Sequence, residues 1–214
     1  MLKLLRPAVT RVLTPLGRAL ARMGVTPDMV TAAGTLGTVV AALVFYPRGQ
    51  LAAGTLVITF FVFADLLDGV LARLGGGRGS RWGAFLDSSL DRLGDAAIFS
   101  GLAIHFALER RPVLACVALF CLVAGALVSY VKARAEGLGF NCDVGLVERP
   151  ERLVGALVPA FLDGLGVPYV LAAGLWLLAL GSAVTVVQRV LHVRRQALAP
   201  AASTPSADRE SDER

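Results

Sequence analysis

The chain has 214 residues, of which 56% are hydrophobic and 17% charged, and a formal net charge of +5. The charges crowd into short stretches between long apolar runs, a pattern that identifies a membrane protein and sets aside a water-soluble domain. The positive balance calls for no nucleic acid, because the basic residues fall where membrane topology alone would put them.

The N-terminal segment, residues 1–24, interleaves Lys3, Arg6, Arg11, Arg18 and Arg22 with Leu2, Leu4, Leu5, Val12, Leu13, Leu16 and Leu20. That alternation predicts an amphipathic helix lying in the membrane interface. Its arginines run on to Arg22 without a compact apolar core and a small-residue cleavage site, so it reads as retained. Six apolar runs follow: Val30–Phe45, Leu51–Ala64, Ala84–Ala107, Val113–Val131, Leu153–Leu165 and Val170–Val187. Each is long enough, or nearly so, for a helix of ~20 residues across a bilayer. The Leu153–Leu165 run is short, so its helix is expected to start near Glu148 and to carry Arg149 and Arg152 into the protein rather than into lipid.

The expected architecture is therefore an all-α integral membrane domain of six transmembrane helices over residues 25–196. The interfacial helix precedes it, and a disordered cytoplasmic tail, rich in Ala, Ser, Pro and alternating charges, follows over 197–214. Lys and Arg concentrate at the N-terminus, in Arg73–Arg81, in Lys132–Arg152 and in Arg189–Arg195, against only Arg48, Arg110 and Arg111 in the opposite loops. By the positive-inside rule both termini and the connections after the second and fourth spans face the cytoplasm, in a multi-pass protein of the cell membrane. Cys116 and Cys121 in the fourth span and Cys142 in a cytoplasmic loop have neither metal-ligand spacing nor a redox setting for a bridge.

Chemistry concentrates in Asp65-Leu-Leu-Asp68-Gly69-Val-Leu-Ala72-Arg73, a nine-residue Gly/Arg-rich turn, and Gly83-Ala-Phe-Leu-Asp87-Ser-Ser-Leu-Asp91-Arg92. On helices, Asp65 and Asp68 share one face and Asp87 and Asp91 another, so two facing helices converge four carboxylates. Such a cluster must protonate, pair with bases or bind multivalent cations. Hard oxygen donors select Mg²⁺, Mn²⁺ or Ca²⁺, and Mg²⁺ fits best where a diphosphate completes the shell, with room for two ions. Gly69 and Ala72 leave the helix surface bare enough for a nucleotide, Arg73 offers a planar fork for its diphosphate, and Gly75–Gly77 with Gly79-Ser80 offers backbone donors.

Other readings of these residues exist. Intramembrane aspartates mark ion or proton pathways, which makes a divalent-cation or proton-coupled transporter the competing class, while Gly69 and Ala72 serve helix packing in many membrane proteins. Arg78 and Arg81 also suit topology anchors. A transporter, however, has no need of Gly69, Ala72 and Arg73 at those positions, and a purely structural scaffold leaves the cost of the carboxylates unexplained.

These residues resemble the signature of the CDP-alcohol phosphatidyltransferase family, D-x2-D-G-x2-A-R, a short spacer, then G-x3-D-x3-D, with every specified position present. The resemblance implies that Asp65, Asp68, Asp87 and Asp91 bind the metals and that Asp91 is also the general base. It implies that Gly69, Ala72, Arg73 and Ser80 hold the CDP moiety of CDP-diacylglycerol. Asp28, Met29, Val30 and Thr31, following Thr26-Pro27, look like the family's second nucleotide-side element; on physical grounds Thr26-Pro27 is a helix start. The family also implies a homodimer, for which small residues such as Gly34, Gly37, Gly101 and Gly125 could pack helices.

The acceptor is read from basic residues outside the signature. Ser129 and Lys132 lie at the end of the fourth span, Arg149 and Arg152 at the start of the fifth, and Arg189 near the end of the sixth. If these ends meet beside the carboxylates, they form a cationic pocket for an alcohol that bears a phosphate; otherwise they are cytoplasmic anchors. Ser129-Tyr-Val-Lys132-Ala-Arg134-Ala-Glu136 and Glu148-Arg149-Pro150-Glu151-Arg152 are similar to the phosphatidylinositol phosphate synthases of actinobacteria. That subfamily implies 1D-myo-inositol 3-phosphate as acceptor, with glycerol 3-phosphate, used by phosphatidylglycerophosphate synthases, the competing choice.

Overall fold

The structure is a computed structural model that describes the backbone over residues 22–74 and 80–198 and side chains over 22–63 and 80–198. The interfacial helix expected over 1–24 lies almost entirely outside the described residues, as do Gly75–Gly79 and nearly all of the tail. Six α-helices and one short 3-10 turn make up the described secondary structure, without strands.

Helix α1 (Pro27–Phe45) starts where the Thr26 hydroxyl accepts the Met29 N–H, with Pro27 in the first turn and Asp28 favourably placed against the helix dipole. A 3-10 turn (Tyr46–Arg48) closed by left-handed Gly49 leads to α2 (Leu51–Leu74). Helix α3 (Arg81–Leu108) is capped by the Ser80 hydroxyl, which accepts the Gly83 N–H at 2.8 Å. Helices α4 (Pro112–Gly137) and α5 (Arg149–Gly164) each carry proline in the first turn, and α6 (Val170–Leu198) completes the set. The start of α5 agrees with the expectation from Glu148: the Glu151 carboxylate accepts the Glu148 N–H at 3.2 Å. Helices α2, α4 and α6 run on past the apolar segments that announced them, because hydrogen bonding along a helix continues after its side chains turn polar.

Three helical segments, Pro27–Arg48, Pro112–Gly137 and Val170–Leu198, are long and apolar enough to cross a membrane. The others depart for local reasons. The described side chains of α2 are apolar over Leu51–Phe63, α3 carries Asp87, Asp91, Arg92 and Asp95, and α5 has only 16 residues. The surface is inverted relative to a water-soluble protein: Val40, Phe60, Val123 and Leu177 are exposed while Asp95, Arg152, Thr185 and Arg189 are buried. An apolar exterior around an apolar core that also encloses charged side chains is the arrangement of an integral membrane protein.

Each helix packs against two main neighbours, and the pairings close a circuit α1–α3–α4–α6–α5–α2. Small residues set its tightest seams. A Cβ on Gly101 of α3 would lie 2.5 Å from the Ala42 carbonyl oxygen of α1, and one on Gly37 would meet the Phe61 ring of α2. Glycines expected at helix contacts thus pack helices within one chain. Short connections alternate the helix directions, so the N-termini of α1, α3 and α5 and the C-termini of α2, α4 and α6 share one end of the ring.

Candidate active site at one end of the helix ring

The described site residues, Asp28 to Thr31, Ser80, Asp87, Asp91, Ser129, Lys132, Arg149, Arg152 and Arg189, all lie on the helix halves toward that shared end. On the nucleotide side, Asp28 in the first turn of α1 comes against the start of α3: a Cβ on Gly83 would lie 3.5 Å from Asp28 Oδ1 and 3.1 Å from Ser80 Oγ. Two helix N-termini therefore converge, and their unpaired N–H groups favour an anion such as a phosphate. Ser80, expected to hold nucleotide, spends its hydroxyl on the α3 cap in this structure. Met29 is exposed, Val30 half-buried, and Thr31 turns its buried hydroxyl onto the Pro27 carbonyl.

The carboxylates come from α2 and α3. Asp65, Asp68, Gly69, Ala72 and Arg73 lie on the described backbone of α2, but their side chains fall outside the described set. One turn earlier, Phe61 and Val62 of α2 line a cleft with Leu90, Gly94 and Asp95 of α3, so the acidic turns of the two helices follow directly from walls of one cleft. On α3, Asp87, Asp91 and Asp95 recur every four residues along one face. Among the described residues no group of three or more potential metal ligands is complete. The described donors at the signature positions, Asp87 and Asp91, are hard oxygens without thiol or imidazole, which fits a hard divalent cation.

Arginines from α5 meet these acids. Arg149 Nη2 lies 2.7 Å from Asp91 Oδ1, and Arg149 Nε lies 3.6 Å from Asp95 Oδ1. Arg152 donates from Nη2 to Asp95 Oδ2, and Gly125 of α4 makes room for it: a Cβ there would stand 3.0 Å from Arg152 Cδ and Nε. Arg92 of α3 donates to the Ser129 hydroxyl of α4, tying those helices together at the same level.

Lys132 pairs with Asp143 and, at 3.8 Å, with Glu136. The Lys132 ammonium holds the Asp143 carboxyl below the usual carboxylate range. Arg189 donates from Nε to Val144 O, from Nη1 to Val128 O and from Nη2 to Glu148 Oε1, so its fork fastens the 138–148 connection, which joins α4 to α5, onto α4 and α6. The five residues expected around an acceptor phosphate lie on the facing ends of α4, α5 and α6, each with its own partner, and differ in exposure. Arg149 and Lys132 keep 29% and 33% of their side chains exposed, against 1% and 3% for Arg152 and Arg189. The sequence reading missed Asp95, whose signal was its position one turn beyond Asp91, and Asp143, which carries no motif.

The family model for CDP-alcohol phosphatidyltransferase matches residues 24–193. The phosphatidylinositol phosphate synthase of Streptomyces avermitilis is 52% identical over 210 residues, covering 94% of this chain and 86% of the relative. That of Mycolicibacterium smegmatis is 47% identical over 194 residues, covering 88% and 86%. The crystal structure of Mycobacterium tuberculosis phosphatidylinositol phosphate synthase with CDP-DAG bound superposes with a TM-score of 0.82 at 44% identity, covering 90% of this chain and 99% of that one. The same protein in complex with manganese and citrate gives 0.83 at 43%, covering 93% and 98%. Signature, helical circuit and sequence similarity coincide over most of the chain, which belongs to the CDP-alcohol phosphatidyltransferase family and is a membrane-embedded transferase of that class.

Proposed function

We infer that this chain transfers the phosphatidyl group of CDP-diacylglycerol to 1D-myo-inositol 3-phosphate and releases CMP, a step in phospholipid synthesis. The observation that carries the reading is the 2.7 Å pair between Arg149 and Asp91, which sets the cationic side of the cleft one side chain away from the carboxylates. A phosphate held by cations, on an alcohol whose hydroxyl must reach a base, is the substrate such a juxtaposition suits. The relatives bearing the synthase name, at 52% and 47% identity, support the same acceptor.

Divalent-metal dependence comes with the family and with the manganese complex of the M. tuberculosis protein. Asp65, Asp68, Asp87 and Asp91 would hold the metal, two Mg²⁺ ions in our reading with Mn²⁺ as substitute, which neutralises the diphosphate when bound. Asp28, Met29, Val30, Thr31, Gly69, Ala72, Arg73 and Ser80 bind the CDP side, where the paired helix N-termini favour its phosphates. Lys132 and Arg149, the exposed cations, grip the acceptor phosphate, with Ser129, Arg152 and Arg189 supporting them from within. Asp91 takes the proton of the acceptor hydroxyl; that oxygen bonds to the lipid-side phosphorus as the bond to CMP breaks. Six membrane-crossing helices, with the active site and both termini on the cytoplasmic side of the cell membrane, place the diacylglycerol chains in lipid and the polar groups in water. The enzyme works as a homodimer in this reading.

The test is CMP release by the purified protein with Mg²⁺ and CDP-diacylglycerol, comparing inositol phosphate, free inositol, glycerol 3-phosphate and serine. Preference for inositol phosphate is expected. Preference for glycerol 3-phosphate would keep the chemistry and overturn the acceptor, and no EDTA-sensitive release with any alcohol would favour a transporter.

A further inference from the structure

Asp95 lies one turn beyond Asp91 on α3, outside the signature that ends at Asp91, and it is buried. It stands between the two arginines of α5: Oδ2 accepts from Arg152, and Oδ1 faces Arg149 Nε at 3.6 Å. Arg149 in turn reaches Asp91 at 2.7 Å. Arg152, Asp95, Arg149 and Asp91 therefore form a string of alternating charge that spans the interior between α3 and α5, from a fully buried arginine to a partly exposed carboxylate.

Burying such a string is a poor way to stabilise a fold, because desolvating each ion offsets most of what the pairing returns, and apolar side chains of the same volume do as well or better. The same string is well made for aiming a side chain. Arg152 is walled in: Gly125 opens the space for its guanidinium, and Phe99, Cys121 and Leu122 line the small cavity beside it. Fixed there, Arg152 anchors Asp95, and Asp95 offers Arg149 a second carboxylate besides Asp91. Arg149, exposed enough to touch substrate, can then turn Nη2 toward a phosphate while Nε stays against Asp95. Lacking Asp95's charge, Arg149 would have Asp91 as its one remaining acidic partner in the string and would settle on the general base.

We infer that Asp95 is a positioning residue for phosphatidyl transfer: a buried counter-charge that aims Arg149 at the acceptor's phosphate and keeps it from occupying Asp91. The inference rests on the proposed acceptor site and adds to it a residue that contacts neither metal nor substrate. It separates Asp95 from the acidic series on the same helix face, because an additional metal ligand would change the metal requirement and a positioning residue would not.

The experiment is steady-state CMP release by purified full-length protein in detergent, wild type against Asp95→Asn, varying acceptor, CDP-diacylglycerol and Mg²⁺ in turn. The acceptor KM is expected to rise about tenfold or more, as when the support of a functional side chain is removed. The KM for CDP-diacylglycerol and the Mg²⁺ concentration at half-activation should stay within about twofold. In an Arg149→Met background the Asp95 substitution should add nothing to the acceptor KM, since the two act through one contact. Should Asp95→Asn not survive purification, Asp95→Glu carries the test: it keeps the charge but moves it, and should raise the acceptor KM several-fold and no other parameter. Equal rises in both KM values, an unchanged acceptor KM, full additivity with Arg149→Met or a raised Mg²⁺ requirement would each overturn the role of Asp95. Wild-type protein that uses free inositol as well as inositol phosphate would instead overturn the acceptor assignment on which it stands.

Discussion

Asp91 carries two duties in the proposed chemistry, and a conservative substitution separates them. Asp91→Asn keeps an oxygen near the metal and removes the base, so CMP release should fall below detection while CDP-diacylglycerol binding, followed by calorimetry, stays close to wild type. Wild-type turnover in that variant would remove Asp91 from the role. Gly125 offers a second check at this scale. Gly125→Val adds atoms to a position where a Cβ already stands 3.0 Å from Arg152, and overpacking of this kind costs about 1–3 kcal/mol. A lower thermal midpoint accompanied by a raised acceptor KM is the expected result. The signature aspartates stand out in the sequence because four carboxylates at helical spacing beside apolar runs have few physical explanations. Asp95 does not, since an acid four residues past Asp91 reads as the continuation of a polar face until Arg152 is found against it. The burial of Arg152 and Arg189 was equally hidden: a sequence shows that arginines sit at a helix end, but not whether their forks face a cleft or a neighbouring backbone.

The 138–148 connection, though it has no regular structure, is fastened to α6 along its length. Thr185 Oγ1 accepts the Val147 N–H at 3.0 Å, Arg189 holds the Val144 carbonyl, and Gln196 exchanges two hydrogen bonds with the Asn141 backbone. Thr185→Val leaves the Val147 N–H without its acceptor at nearly unchanged volume, which should lower stability by about 1–3 kcal/mol. The check is thermal unfolding in detergent, with Gln196→Ala, at an exposed hydrogen bond, as the milder comparison. The start of α1 was readable from Thr26-Pro27 and that of α5 from the shortness of its apolar run, whereas the Ser80 cap and the Glu148–Glu151 pair emerged only from the structure. Helix ends and the order of packing were not readable. In a membrane protein both the lipid-facing and the inward-facing sides are apolar, so periodicity loses the contrast that tells one face from the other in a soluble helix.

At the scale of the whole molecule, alternating helix directions bring together groups more than a hundred residues apart in the chain, from Asp28 to Arg189. Chelation tests whether that end works as one site. EDTA should abolish CMP release, excess Mg²⁺ or Mn²⁺ should restore it, and restoration by Ca²⁺ at the same rate would argue against the Mg²⁺ assignment. The thermal midpoint should rise on adding metal in proportion to its affinity for the folded state, because ligands that bind only that state stabilise it by mass action. A helical membrane protein was plain from the long apolar runs, whereas the closed circuit of the six described helices depended on close approaches such as Gly101 to Ala42, which nothing in a string of small residues announces.

The alternating string of Arg152, Asp95, Arg149 and Asp91 also bears on how this enzyme can change over generations. Loss of Asp95 or Arg152 alone leaves its partner's charge buried between α3 and α5, so lasting change at that pair is expected in matched steps. Asp95 and Arg152 should be kept together or replaced together, and a lineage shifting to an acceptor without a phosphate would be free to discard both.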